Sequence, residues 1–209
     1  MWILYAFGSA FFAGLTAVLA KCGIEHTNSH LATALRTIVV LIFSWIMVGI
    51  VGSFSSIHTI THKTFLFLIL SGISTGASWL CYFKALQLGN INKVTAVDKT
   101  SVVLTIILSL IFFKESVTVY KIIGIIILTT GTYLMVEKKE DNKQTNNAWL
   151  LYAVLSVIFA SLTTILGNIG ITNIESNLGT AIRTSVVLIM SWIVVLVTHS
   201  QMNMKSIPK

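Results

Sequence analysis

The sequence predicts an all-α, polytopic membrane protein of about seven transmembrane helices, organised as a five-helix inverted repeat with an incomplete second copy. Three observations carry that prediction. Of the 209 residues, 55% are hydrophobic and only 10% charged, and the mean hydropathy is +0.88, whereas soluble chains carry roughly 25% charged residues. The apolar residues are gathered into runs of about 20, the length that crosses a hydrocarbon core of roughly 30 Å. The chain also matches itself at an offset of 147 residues.

Each run is bounded by charge or turn residues. The first extends from Trp2 to Ala20 and stops at Lys21. The second, Leu31 to Val51, follows His30 and ends at Gly52. The third, Thr64 to Leu86, starts after Lys63 and ends before Gly89. The fourth, Val94 to Phe113, lies between Lys93 and Lys114. The fifth, Val117 to Val136, ends at Glu137, where a charged linker, residues 138–147, begins. The sixth, Ala148 to Gly167, and the seventh, Leu178 to Thr198, complete the series. Backbone groups in lipid must be satisfied within the segment, so all seven are expected to be helices. A secretory signal would also be apolar and end near Ala-Val-Leu-Ala. Here no basic residue precedes Trp2, and the same pattern recurs at Trp149.

Thirteen of 18 positions are identical when Leu31 to Val48 is laid over Leu178 to Val195, including Arg36 with Arg183, Thr37 with Thr184, Ser44 with Ser191 and Trp45 with Trp192. Upstream, Trp2, Tyr5, Thr16 and Gly23 lie over Trp149, Tyr152, Thr163 and Gly170. Hydropathy alone does not reproduce polar identities, so the match reads as duplication. Residues 1–137 form the first repeat and residues 148–209 the first two helices of the second. Five spans in the first copy turn the second upside down in the membrane, a common plan of secondary transporters. The second copy stops after two spans. The chain is therefore expected to be a fragment of a ten-span protein or a seven-span form that borrows helices from a partner.

Other classes fit poorly. The net charge of +7 is scattered between apolar runs rather than clustered into a stripe for a phosphate backbone, so no nucleic-acid partner is expected. Basic loops flanking spans account for it. Cys22 and Cys81 sit in no metal-ligand or redox spacing. His26, His30, His58, His62 and His199 lie in or beside connectors. The i, i+4 pair of His58 and His62 lacks an intervening Glu and a third ligand, so no metal site is expected. No HExxH, P-loop or GxGxxG occurs, and neither catalysis nor a cofactor is indicated.

The stretch from Gly76 to Val136 contains GASWLCYFKALQLG, then Ala96-Val97-Asp98-Lys99, then LSLIFFKES and a span with Gly124 and Gly131. With Tyr82, Ala85 and Leu86 closing the third span, and Phe112 and Glu115 in the turn before the fifth, it resembles the EamA family of the drug/metabolite transporter superfamily. The resemblance covers the first repeat and two-fifths of the second. It implies a ten-helix carrier of two inverted halves that moves small metabolites, amino acids or drugs across the cytoplasmic membrane by alternating access. Close relatives often show Pro-Ile-Asp-Lys where this chain has Ala96-Val97-Asp98-Lys99, so a proline distortion expected in the family is missing here.

Charged groups inside spans are costly and raise a functional hypothesis. Asp98 and Lys99 begin the fourth span, and Asp98, Ser101, Thr105 and Ser109 share one face at helical spacing. This stripe reads either as a substrate-facing wall with Asp98 as a cation or proton site, or as a helix-end salt bridge with Arg36 or Lys84 and locally bonded hydroxyls. Arg36, about one turn into the second span and repeated as Arg183, reads as a holder of an anionic group, a partner for Asp98 or a snorkelling residue. On the third span Ser71, Thr75, Ser78 and Tyr82 line up beside Trp79. They suit a cavity wall, while Gly72 and Gly76 make a Gly-x-x-x-Gly contact with a neighbouring helix. The candidate substrate-binding set is thus Asp98, Lys99, Arg36, Ser78, Trp79, Tyr82, Ser101 and Thr105. Trp2 and Trp149 read as interfacial anchors, and the spacings Ala10 to Gly14 and Ala13 to Ala17 as packing features.

The partners expected are the lipid bilayer, a small-molecule substrate and, if the missing helices are restored by a second copy, a homodimer. A non-transporting membrane interaction module is the competing reading. Positive-inside counting places the N-terminus outside, and the family resemblance implies that it is inside.

Overall fold

The computed structural model describes residues 2–24, 28–114, 118–135, 148–171 and 174–198, and every long element in it is an α-helix. The order is α1 (Trp2–Ile24), α2 (Ser29–Val51), a 3-10 helix (Ser53–Thr59), α3 (His62–Leu88), α4 (Ile91–Phe113), α5 (Val119–Met135), α6 (Ala148–Ile171) and α7 (Ser176–Val197). Six of these helices are long and apolar enough to span a bilayer, and α5 is a shorter apolar helix. The protein is polytopic and all-helical, with the helices where the apolar runs place them. The 3-10 helix is an addition: Gly52 takes φ 75°, closes α2 with a bond from its N–H to Gly49 O, and turns the chain into it. A side chain at that φ is strained, which suits glycine. The linker 138–147, Glu115 and the segment beyond Thr198 lie outside the described residues, as does the side chain of Trp2.

Helix starts follow ordinary capping chemistry. The Asn28 side chain accepts from His30 N–H at 2.9 Å. Glu175, its repeat mate 147 residues later, accepts from Asn177 N–H at 2.9 Å and Leu178 N–H at 3.1 Å. Asn90 caps α4 in the same way.

The core has three apolar clusters, and two of them are exchanged copies of each other. Leu31 and Ala34 at the start of α2 pack on Val195 at the end of α7, with Trp192 against them. Leu178 and Ala181 at the start of α7 pack on Val48 at the end of α2, with Trp45 against them. Every residue of one cluster is the repeat mate of a residue in the other, so α2 and α7 cross antiparallel about a pseudo-two-fold axis. The tryptophans of these helices face a neighbour, and Trp45 also stacks on Phe54 at 6.1 Å. The third cluster, Phe83, Ala85, Leu86, Val94 and Ala153, joins α3, α4 and α6. Trp149 packs inward on this cluster and against Gly89, a tighter placement than a free interfacial anchor.

The most extensive helix pair is α3 with α6. Ser71 Oγ donates to Thr163 O at 2.9 Å, Thr75 Oγ1 lies 3.3 Å from Thr163 Oγ1, and Ser78 Oγ donates to Ser156 O at 3.1 Å. On its adjoining face α3 brings Gly72 and Gly76 against Val186 and Met190 of α7; an added Cβ would come within 2.8 Å of each. This is the close approach that a Gly-x-x-x-Gly pair permits. By contrast α1 touches α2, α3 and α4 only lightly. Ala10 is exposed and a Cβ on Gly14 would meet nothing, so that predicted packing spacing is uncovered here. Lys21 anchors the end of α1 by donating to the Leu86 and Gly89 carbonyls at the C-terminus of α3.

Candidate functional site

The helices meet around a cavity of about 280 Å³. Its charged and aromatic wall comes from α2, α3 and α4: Arg36, Trp79, Tyr82, Asp98 and Lys99. Ser78 of α3, Ser101 of α4 and Ala160 of α6 continue it. Ala13, Thr16, Ala17 and Ala20 of α1 form a small-residue side. Seven of the eight predicted site residues therefore converge on one space, although they come from three helices. Thr105, one turn beyond Ser101 on α4, is not among the lining residues.

Arg36 is held by ring faces. Its guanidinium carbon lies 4.5 Å from the Trp79 ring centroid and 5.5 Å from that of Phe83. A cation over an indole is worth up to about 2 kcal/mol when desolvated. That contact keeps the charge in the cavity without neutralising it. Lys84, the alternative partner for Asp98, donates instead to Gln87 Oε1 at 3.1 Å.

Asp98 stands across the cavity wall on α4. At the same cavity, Ser156 Oγ of α6 is 3.2 Å from Ser78 Oγ of α3. Polar contacts thus join α3 to α6 and α6 to α4. The α6 to α4 contact is closed by Ser161 Oγ donating to Ser101 O at 3.1 Å. The hydroxyl stripe of α3 splits between two duties. Ser71 and Thr75 are consumed by packing on α6, Trp79 and Tyr82 face the cavity, and Ser78 lies at the junction.

Sequence reasoning read Ala13 and Ala17 as packing residues, whereas they line the cavity, and it did not single out Ala20 or Ala160 at all. Small apolar residues carry no chemical signature, and only the assembled bundle shows that their lack of bulk makes the space. Arg183, the mate of Arg36, is outside the cavity. Its Nη2 is 3.5 Å from Thr75 Oγ1, and it lies so near Gly167 that a Cβ there would be 3.0 Å from Nη1.

The arrangement can hold a small molecule with opposite charges or with an anionic group and an apolar body. Two cationic groups and one carboxylate line the space, and the aromatic faces supply apolar contact.

Comparison with known proteins agrees with a membrane transporter. The model of the EamA-like transporter family matches residues 1–137. The chain is 40% identical over 134 residues to an uncharacterized transporter from the cobO 3′ region of Sinorhizobium sp, covering 64% of this chain and 95% of that one. It is 27% identical over 103 residues to an uncharacterized protein of Methanocaldococcus jannaschii, covering 45% of this chain and 75% of that one. No solved structure matches it significantly. With the family model matching residues 1–137, about two thirds of the chain, and the polytopic bundle in place, the chain belongs to the EamA-like transporter family.

Proposed function

We propose that this protein is a carrier that moves small metabolites, amino acids or drugs across the cytoplasmic membrane by alternating access, with the cavity among α1, α2, α3, α4 and α6 as its binding site. The observation that carries the reading is the placement of Arg36 and Asp98, on separate helices, in one small cavity beside Trp79 and Tyr82. Unneutralised charge is retained inside a membrane bundle at a cost, and substrate paths are where that cost is tolerated. A zwitterionic or anionic solute with an apolar portion fits this lining: Arg36 receives the anionic end, Asp98 a cationic one, and Trp79 and Tyr82 the body between.

The test is uptake into proteoliposomes of purified protein, with labelled amino acids and small organic anions offered in turn. Accumulation that Asp98→Asn and Tyr82→Ala both abolish, at equal amounts of inserted protein, supports the site. Normal flux in both variants rejects it.

A further inference from the structure

The charges in the cavity wall do not balance. Among the described residues that line it are two cations, Arg36 and Lys99, and one carboxylate, Asp98; the others carry no charge near neutral pH. Two nearby ammonium groups are engaged elsewhere: Lys21 donates to the Leu86 and Gly89 carbonyls, and Lys84 to Gln87. Arg36 is the eighth residue of α2 and Asp98 the eighth of α4, so both stand about 10 Å along their helices at a rise of 1.5 Å per residue. Excess positive charge at that depth is costly in a membrane bundle, and a solute of opposite net charge relieves it.

The placement of the three groups narrows the solute further. Asp98 and Lys99 are adjacent on α4, where successive residues point about 100° apart, so their charges meet different parts of a solute. Arg36 approaches from α2, steadied 4.5 Å over Trp79. Its planar fork suits a carboxylate, and Lys99 offers a point charge. A neutral zwitterion leaves one cation unpaired, an acid without an amine leaves Asp98 without a cation, and a cationic solute leaves Arg36 and Lys99 both unsatisfied. A solute with two acidic groups and one ammonium group gives each of the three a partner. The volume of about 280 Å³ lies below the roughly 300–1,000 Å³ of drug-sized sites, so the molecule is small.

We infer that the cavity selects small amino acids of net charge −1. Arg36 and Lys99 hold the two acidic groups, Asp98 holds the ammonium group, and Trp79 and Tyr82 flank the carbon chain. This rests on the carrier reading above and adds to it the charge class of the substrate.

The experiment is calorimetric titration of the purified full chain in detergent, near neutral pH, with L-glutamate, L-glutamine, glutarate and L-lysine. Glutamine matches glutamate in size but lacks its second negative charge, and glutarate lacks the ammonium group. Each should bind at least about tenfold more weakly than glutamate, because a charged wall group is left unpaired, and lysine should bind more weakly still. Lys99→Gln should reduce the preference for glutamate over glutamine about tenfold, and Lys99→Arg should retain it. Asp98→Asn should erase the preference for glutamate over glutarate. Equal or tighter binding of glutamine, glutarate or lysine, a glutamate preference untouched by Lys99→Gln, or no binding of glutamate overturns the inference. The carrier reading is judged separately, by the uptake assay with its wider set of solutes. Uptake of another solute that Asp98→Asn and Tyr82→Ala abolish keeps that reading when glutamate is not bound, whereas normal flux in both variants removes both.

Discussion

Arg36 and Arg183 occupy the same position in the two repeats, yet Arg36 lies 4.5 Å over Trp79 in the cavity and Arg183 is wedged between Gly167 and Thr75 in the packed interior. The two positions match at the 147-residue offset, and the tertiary setting gives them different surroundings. The arginines therefore respond differently to neutralisation. Arg36→Gln should reduce uptake by at least about tenfold, the loss of one charge-assisted contact of about 1.4 kcal/mol or more, with little change in thermal unfolding. Arg183→Gln should mainly alter stability. Uptake by the two variants, measured beside their melting temperatures in detergent, checks the assignment.

Trp79→Leu removes the indole face but keeps apolar volume. Losing a cation–π contact of about 0.5–2 kcal/mol should weaken apparent substrate affinity by roughly two- to thirtyfold, leaving protein levels unchanged. Concentration-dependent uptake measures the shift, and an unaltered half-saturation concentration would remove Trp79 from the site.

Gly72→Ala should destabilise the bundle by about 1–3 kcal/mol. Its added methyl would come within 2.8 Å of Val186 Cβ and 2.9 Å of the Arg183 carbonyl, neither of which can swing away. Gly76→Ala should cost less, because its nearest neighbour is the flexible end of Met190. Unfolding of each variant in detergent tests the order, and equal losses would contradict it.

Ser78→Ala and Ser156→Ala each remove one side of the hydroxyl pair that joins α3 to α6. Interhelical hydrogen bonds in membranes average about 0.6 kcal/mol, so each single change should be mild. The double variant should lose less than the sum, because both singles break the same contact. A double-mutant cycle on unfolding free energy reads the coupling, and full additivity would separate the two residues.

Glu175 offers a pH-dependent element outside the spans. Partial burial pushes its carboxyl up, but bonds from Asn177 and Leu178 N–H, from the Asn177 side chain and from Ser53 outweigh this and hold it below the usual carboxylate range. A carboxyl depressed in the folded state contributes stability above its unfolded value, near 4.3, and loses that contribution as pH falls through the folded value. Glu175→Ala should lower stability at neutral pH by about 0.5–2 kcal/mol, as loss of a helix cap does, and the gap from the parent should close in acid. Melting curves between neutral pH and about pH 3 follow it; a gap that persists unchanged would assign the effect elsewhere.

Much of this protein was legible before any coordinates. Apolar run length determined the helices, because a bilayer leaves a spanning backbone few alternatives. The 147-residue offset aligned Arg36 with Arg183 and Trp45 with Trp192, pairs that hydropathy does not demand. Helical spacing put Ser71, Thr75, Ser78 and Tyr82 on one side of α3. Periodicity within a single helix carries no information about its neighbour, and there tertiary structure decided. Packing on α6 took Ser71 and Thr75 and left Tyr82 to the cavity; Thr105 stayed out of it; Ala13, Ala17 and Ala20 became a wall through smallness alone. The same residues at Ser9 and Ser156 are bare on α1 and buried on α6, because burial belongs to a pair of surfaces and a sequence states only one of them.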